Sequence, residues 1–269
     1  MTTESVAEKF NISYPSVLKI LAEYRVPRYS RAKLYSPDLD EHYFDLIDTE
    51  EKAYFLGLLV TDGYIHRTKG RQPMVSICLQ QQDEYMLDAF KDEIRSNKKT
   101  TSDGRGCCEI QILSGGLVDG LLKYGLHPRK SLDCWFPDNI PHNLYPHFIR
   151  GLFDGNGSAS FYARPGRKSH VKAVRFCSGT KQFMVDLVDF LDSECGIPKV
   201  SICCGKDNLW SIRYASNQSI LELINYMYGD AHLYLSRKKH ICDLICEEIY
   251  KYGNTEITGC AKYIQHRNA

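Results

Sequence analysis

The chain has 269 residues, of which 43% are apolar and 25% are charged, and its formal net charge is only +1. These values are typical of a globular protein with one large domain or two small ones. They do not support nucleic-acid binding as a property of the whole chain, so the distribution of charge along the sequence is more informative.

Neither a membrane protein nor a secreted protein is indicated. No run of about 18 apolar residues occurs, and the first residues lack the apolar core of a signal peptide. We therefore expect a cytoplasmic protein whose eleven cysteines are reduced thiols. The doublets Cys107-Cys108 and Cys203-Cys204 favour small buried side chains over a zinc site, because neighbouring residues of a strand point to opposite faces and no CxxC occurs.

Residues 1–35 are predicted to form a helix-turn-helix-like unit. Two stretches with helical periodicity, residues 5–10 and 14–24, are separated by a short turn in which Ser13 can cap the second helix. The second helix would present Lys19 to DNA, and the basic residues that follow could reach phosphates: Arg25, Arg28, Arg31 and Lys33. An ordinary helical hairpin packed on the main body is the alternative.

An internal repeat follows an acidic segment, residues 36–52, that we expect to act as a linker. Gly57 and Gly151 begin the matching phrases GLLVTDG and GLFDGNG, which are 94 positions apart (151 − 57). We assign the two copies to residues 53–140 and 141–269. A repeated mixture of helices and strands predicts an α+β protein with a pseudo-twofold axis.

The same order of elements is predicted after each phrase, namely strand, helix, strand and helix. In the first copy these elements cover residues 74–80, 83–94, 107–113 and 116–125. In the second copy they cover residues 171–178, 181–192, 208–215 and 219–229. A final amphipathic helix is predicted over residues 237–252.

The small residues of each phrase are four positions apart, which places them on one stripe of a helix. Such a stripe lets two helices approach closely, so we expect the two phrases to pack side by side and parallel. Asp62 and Asn156 would then meet at one end. A carboxylate is unfavourable at the negative end of a helix dipole, so we expect a divalent metal, Mg²⁺ (or Mn²⁺), to offset it. Paired metal sites of this kind suit phosphodiester cleavage.

Basic residues cluster in two stretches that contain no Asp or Glu, residues 63–82 and 155–185. Both stretches begin at a helix end and span the first hairpin of a copy, so they predict a track for a phosphate backbone. The candidate DNA contacts are Arg67, Lys69 and Arg71 in the first copy, and Arg164, Arg167, Lys168, Lys172 and Arg175 in the second. A solvated charged face is the alternative, although it does not explain why the pattern occurs twice.

These features resemble the LAGLIDADG homing endonucleases, in particular the single-chain, two-motif type encoded in phages and introns. FLGLLVTDG and IRGLFDGNG align with the signature, and LHPRKS and YLSRKK extend the resemblance over residues 48–250. The resemblance implies an αββαββα unit present twice, with saddle-shaped antiparallel sheets over double-stranded DNA. It also implies a monomer that cleaves DNA across the minor groove.

The resemblance also assigns roles to individual residues. The last acidic letter of the motif binds metal in that family, and it corresponds to Asp62 here, with Asn156 at the second position. A basic residue lies near each active site, and by position in the repeat these would be Lys130 and Lys238. A polar residue on the second strand of each hairpin helps to order water, and the nearest candidates are Gln80 and Ser178.

Two positions depart from the signature. Its first acid is Val60 in the first copy, whereas Asp154 is present in the second. The second metal-binding acid is Asn156, which can coordinate a metal through its carbonyl oxygen but carries no charge. We therefore expect strand-biased cleavage or nicking.

A protein that has lost cleavage is the alternative, acting as a DNA-binding regulator or an RNA-splicing maturase. A metabolic enzyme has no support, because GxGxxG, P-loop and GxSxG motifs do not occur.

Overall fold

The structure is a computed structural model that describes residues 3–24, 26, 36–68, 70–128, 134–166, 169–206 and 209–252. Two helices come first, α1 (Thr3–Phe10) and α2 (Tyr14–Glu23). The first copy contains α3 (Glu50–Asp62), β1 (Gly63–His66), β2 (Met74–Gln80), α4 (Glu84–Glu93), β3 (Thr101–Ser102), β4 (Cys107–Leu113) and α5 (Gly115–Leu122). The second contains α6 (Tyr145–Asn156), β5 (Ser158–Tyr162), β6 (Val171–Ser178), α7 (Lys181–Cys195), β7 (Cys203–Cys204), β8 (Trp210–Tyr214), α8 (Asn217–Tyr228) and the last helix α9 (Ser236–Tyr252).

Each copy forms its own antiparallel sheet, and the two sheets have the same topology. The strand order is β1-β2-β4-β3 in the first and β5-β6-β8-β7 in the second. The predicted α+β fold, with αββαββα present twice, is therefore confirmed. Among the described helices none is both long and apolar enough to cross a bilayer.

The predicted element boundaries are close to the observed ones. The strands predicted at residues 74–80, 107–113 and 171–178 have these same bounds. The helix predicted to stop at residue 192 continues to Cys195, because the left-handed residue that ends it is Gly196, with a φ of 65°.

Each sheet has one face in the hydrophobic core and an opposite face that we call the far face. In β2 the side chains of Val75, Ile77 and Leu79 are buried in the core. Since side chains alternate along a strand, Ser76 and Cys78 belong to the far face. The same alternation in β6 and β8 sets the faces of the second sheet.

The acidic segment predicted as a linker is instead part of the core of the first copy. Its apolar side chains Leu39, Tyr43, Phe44 and Ile47 are buried. The hydroxyl of Tyr43 donates to the carboxylate of Glu93 at 2.9 Å. We expected a linker from the acidic composition, but the apolar residues between the acids decide the position of the segment.

The amino-terminal unit contains the predicted turn between its two helices. Ser13 caps α2, and its hydroxyl accepts a hydrogen bond from the amide of Ser16 at 3.2 Å. Within α1 and α2 only Val17 is buried, and Lys19 is exposed. Arg28 lies outside the described residues. DNA binding by this unit therefore stays a prediction.

The described cysteines are free thiols, and several do not match the expectation of burial. Cys108, Cys134, Cys242 and Cys246 are buried, whereas both residues of the 203–204 doublet are exposed. That doublet lies on β7, a two-residue strand at the edge of its sheet, where neither side chain is covered.

Candidate functional site

The two motif helices, α3 and α6, pack against each other with their backbones in direct contact. A Cβ atom on Gly57 would overlap the carbonyl oxygen of Phe148, and one on Gly151 would overlap that of Tyr54. One on Gly155, a turn further along α6, would overlap the side chain of Thr61, four residues after Gly57. Contacts thus advance in the same direction along both helices, and the predicted parallel pair is confirmed.

The parallel packing brings the ends of both helices together. Asp62 is the last residue of α3 and Asn156 is the last residue of α6. One carboxylate oxygen of Asp62 lies 3.3 Å from the position that a Cβ atom would take on Gly155, the neighbour of Asn156. The side chain of Asp62 is half-buried, and that of Asn156 is exposed.

The other acid of the second motif, Asp154, is held in the protein interior by hydrogen bonds. It is fully buried, and its carboxylate accepts hydrogen bonds from Tyr54 at 2.8 Å, Tyr228 at 3.0 Å and the amide of Leu235 at 2.7 Å. Burial raises the pKa of Asp154 to about 6. The equivalent Val60 packs against the hydrophobic core. Neither residue presents an acid to the helix ends.

Lys238 lies at the carboxyl end of α6, where the sequence predicted a basic residue, but its ammonium group is not presented to solvent. Its Nζ atom donates to the carbonyl oxygens of Phe153, Gly155 and Gly157 at 2.8, 2.8 and 2.7 Å. Burial lowers the pKa of Lys238 to about 8. Lys130, its counterpart in the first copy, lies outside the described residues.

An ion pair joins the first residue of α3 to the middle of α6. Arg150 is fully buried and donates to the carboxylate of Glu50 at 2.6 Å. Burial alone would raise the pKa of Glu50, but hydrogen bonds from His147 and the backbone of His232, together with the charge of Arg150, lower it to about 2. This pair ties α3 to α6 and was not predicted from the sequence.

The far face of the second sheet presents two arginines side by side. Arg175 on β6 is directly opposite Arg213 on β8 in the strand register, and both are exposed. Their strand neighbours Phe176 and Ile212 are buried on the other face. Arg213 was missed in the sequence, although the period-2 pattern of WSIRY could have placed it on this face.

The equivalent row of the first sheet carries no charge. One position after the closing glycine of the motif, Tyr64 pairs with Ser76, which in turn pairs with Gln111. In the second sheet the same row is Ser158, Arg175 and Arg213. The far faces of the two copies therefore differ in charge at matching positions.

Lys172, which we predicted as a DNA contact, is placed elsewhere. Its side chain is only 10% exposed, and its ammonium lies 3.1 Å from the carboxylate of Glu248 on α9. Glu248 also accepts hydrogen bonds from the backbone amide and the ring of His170. Lys172 shares the inner face of β6 with the buried Val174, away from the far face, and its role as a DNA contact stays a prediction.

The remaining predicted contacts lie mainly in loops. Arg67 pairs with Asp119 at 2.8 Å, and Arg71 and Arg164 are exposed. Gln80 is exposed at the end of β2 and accepts a hydrogen bond from Gln82 at 2.7 Å. The others, Lys69, Arg167 and Lys168, lie outside the described residues.

Ser178, the second candidate for ordering water, is half-buried at the end of β6. Its hydroxyl accepts a hydrogen bond from the amide of Thr180 at 3.1 Å. This contact closes the turn before α7.

The helix ends offer oxygen ligands of the kind that Mg²⁺ prefers. Within the described ranges there is no cluster of three or more His, Cys, Asp or Glu residues that could hold a metal. Asp62 contributes one carboxylate and Asn156 one amide carbonyl. Mg²⁺ is usually held by one or two protein carboxylates together with substrate phosphates and water. The donor set therefore fits an ion bound jointly with a phosphodiester.

Several solved structures share this fold. The LAGLIDADG homing endonuclease I-GzeII, solved in complex with its DNA target, has 15% identity and a TM-score of 0.55 over 80% of this chain and 96% of that one. I-LtrWI, a LAGLIDADG homing endonuclease bound to target DNA, has 12% identity and a TM-score of 0.54 over 85% of this chain and 97% of that one.

The LAGLIDADG meganuclease I-AabMI, bound to uncleaved DNA, has 14% identity and a TM-score of 0.52 over 72% of this chain and 88% of that one. No family model matches the chain, and no curated protein matches its sequence. The chain has the fold of the LAGLIDADG homing endonucleases.

Proposed function

We propose that this protein is a LAGLIDADG homing endonuclease that cleaves double-stranded DNA at a specific site. The observation that carries the proposal is the parallel packing of α3 and α6, which delivers Asp62 and Asn156 to one point. The solved proteins of the same fold named above are DNA complexes. Because both copies lie in one chain, a monomer would supply both halves of the site.

Asp62 and Asn156 are the residues that would hold Mg²⁺ or Mn²⁺. When bound, such an ion activates water and stabilises negative charge on a phosphate undergoing hydrolysis. Asp62 supplies the negative charge that attracts the cation, while Asn156 supplies a neutral oxygen. The hydrogen bond from Tyr54 on α3 to the buried carboxylate of Asp154 on α6 holds this helix end in place relative to α3.

Recognition of the DNA would fall mainly to the far faces of the two sheets. Two like charges directly opposite each other destabilise a sheet, so the Arg175–Arg213 pair is costly unless an anion lies beside it. A phosphate, or the acceptor edge of a guanine in the major groove, would supply that partner. Electrostatic attraction would then contribute more to DNA affinity in the second copy than in the first.

A cleavage screen tests the proposal. The purified chain is incubated with a plasmid library of random inserts, with Mg²⁺ or with EDTA, and the cut ends are sequenced. We expect cuts at one related group of sequences, and none with EDTA. Binding to a defined DNA sequence without cleavage in either Mg²⁺ or Mn²⁺ would contradict the nuclease and favour the second candidate.

That second candidate is a DNA-binding regulator or RNA maturase with the same fold. Asn156 favours it, because an uncharged residue occupies the second metal position. The burial of Lys238 favours it too, because all three donors of the ammonium group are already used by carbonyl oxygens. Retention of Asp62 at the shared helix end argues for the nuclease.

We expect wild type to cut the two DNA strands at different rates. Asn156 removes one negative charge near the metal, and about 1.4 kcal/mol of lost transition-state stabilisation slows one strand tenfold. Asn156→Asp should therefore speed the slow strand. A time course on supercoiled plasmid containing the target measures this, with open-circle DNA as the intermediate.

Asn139→Asp is a suitable control for that experiment, because it makes the same change on an exposed loop. It should leave both strand rates unchanged. Direct conversion of supercoiled to linear DNA by wild type, without an open-circle intermediate, would contradict strand bias. The metal would then be held adequately by Asp62, the neutral oxygen of Asn156 and the phosphate.

Replacing either arginine of the far-face pair should weaken DNA binding in a salt-dependent manner. Arg175→Gln and Arg213→Gln should each reduce the slope of log affinity against log salt by about 0.9, the value for one phosphate contact. Fluorescence anisotropy at several salt concentrations measures the slope. Ser76→Ala and Gln111→Ala, at the matching positions of the first sheet, should leave it unchanged.

The slope distinguishes contacts to phosphates from contacts to bases. An unchanged slope with a relaxed preference at one base pair would place the arginines on bases instead of phosphates. Unchanged affinity, slope and preference in both variants would show that the pair does not face DNA.

Deleting residues 1–35 should shorten the DNA footprint at one flank and weaken binding. The remaining chain should fold, because the segment from Leu39 onward provides the packing of the first copy. Footprinting and affinity measurements on both forms check the prediction, and circular dichroism checks folding. Equal footprints and affinities would mean that α1 and α2 form only a helical hairpin.

A further inference from the structure

Lys238 holds the backbone on both sides of Asn156. Its Nζ atom donates to the carbonyl oxygens of Gly155 and Gly157, and also to that of Phe153, one helical turn before Gly157. The residue is only 8% exposed. An ammonium group has three donors, and all three are used by these carbonyls.

The backbone of this turn needs such support because two glycines flank Asn156. Glycine restricts the chain less than any other residue. In the first copy the matching position is Thr61, whose hydroxyl donates to the carbonyl of Leu58 at 2.9 Å within the same helix. The second copy has Gly155 in that place and no side chain there to make a comparable contact.

The start of α9 provides the support through two connections. The amide of Leu235 donates to Asp154 on α6, and Lys238, one turn later, reaches the end of the same helix. The carbonyl end of a helix is negative, so a cation is favourable there. The ammonium group of Lys238 thus offsets the negative charge at the end of α6. The carboxylates of Asp154 and Asp62 also interact favourably with this ammonium group.

We propose that Lys238 is a positioning residue that acts through the backbone of residues 155–157 to orient the amide of Asn156. It does so without contacting the DNA phosphate. The consequence for cleavage rests on the nuclease function proposed above, whereas the positioning itself does not.

Amide hydrogen exchange of the DNA-free protein tests the positioning. The reporter is the amide of Gly157, which donates to the carbonyl of Phe153 at 2.8 Å, an acceptor that it shares with Lys238. Lys238→Met keeps the length of the side chain and removes its donors. We expect exchange at Gly157 to become faster by about tenfold, as for the loss of a charged hydrogen bond.

Lys239→Ala is the matched control. Lys239 is the next residue of α9, and its ammonium group pairs with Asp243 of the same helix at 3.0 Å. It should leave exchange at Gly157 unchanged. Equal exchange at Gly157 in wild type and Lys238→Met would overturn the proposal, whether or not the protein proves to be a nuclease.

Strand-resolved cleavage then tests the catalytic consequence. Lys238→Ala should slow one strand by about tenfold, with a smaller effect on the other strand and on DNA affinity. Ethylammonium should restore the slow strand by entering the space left by the side chain. Tetramethylammonium, which has the charge but no N–H donors, should not restore it.

Equal slowing of both strands, or rescue by both cations, would count against an action through the backbone. If Lys238→Ala does not fold, Lys238→Met replaces it for the strand rates, and the exchange result for Lys238→Met decides the proposal. Absence of cleavage by wild type would refute the nuclease function and leave the exchange test intact.

Discussion

Asp62→Asn is expected to abolish metal-dependent cleavage while leaving DNA binding largely intact. The substitution leaves amides at the ends of both motif helices, so neither contributes a charge to a cation. At an effective dielectric near 20, a unit charge pair about 4 Å apart is worth roughly 4 kcal/mol, which corresponds to about a thousandfold in rate. Cleavage of the target plasmid in Mg²⁺ measures the effect, and anisotropy measures affinity.

Asp138→Asn provides a control with the same chemical change at an exposed position between α5 and α6. It should cleave as wild type does. DNA affinity should remain similar in both variants, because most hydrogen bonds to DNA are made to phosphates and sugars over a wide surface of the protein. Cleavage by Asp62→Asn at the wild-type rate would refute the assignment of the active site.

Gly57→Ala is expected to destabilise the fold by about 3 kcal/mol, at the upper end of the usual range for overpacking a core. The added Cβ atom would overlap the carbonyl oxygen of Phe148 and approach the amide nitrogen of Leu152 to 2.9 Å. Both are backbone atoms, so relief requires α3 and α6 to separate. Urea unfolding monitored by circular dichroism measures the change in free energy.

Gly115→Ala is the control for backbone effects. Gly115 is in the first turn of α5, and a Cβ atom there would have no atom within 4 Å. Alanine favours a helix over glycine, so this variant should be more stable than wild type by about 0.5–1 kcal/mol. Equal stability of Gly57→Ala and Gly115→Ala would show that the helix pair tolerates separation.

The two copies have diverged around a shared scaffold. The first copy keeps the acid at its helix end and has Val60 against the core, whereas the second has Asn156 at its helix end and a buried Asp154. The far faces differ as well, with Ser76 in the first sheet where the second has Arg175. An asymmetric DNA target with one preferred strand is the expected counterpart of these differences.

The repeat, the order of its elements and the helix pair could be predicted from the sequence. Helix and strand periodicity depends on neighbours within a few residues, and small residues four apart identify a close helix contact without any knowledge of the partner. The candidate end residues Asp62 and Asn156 follow directly, because each ends a helix that the pattern already defines.

Only the tertiary structure decided which charged side chains are paired and which stay exposed. Lys172 and Arg175 lie in the same basic stretch, yet Glu248 on α9 pairs with the first, whose side chain is only 10% exposed, whereas the second is exposed. Lys238 reaches α6 from a helix more than 80 residues later in the chain. Such pairings depend on strand register and on contacts between distant segments, and local periodicity carries no information about either.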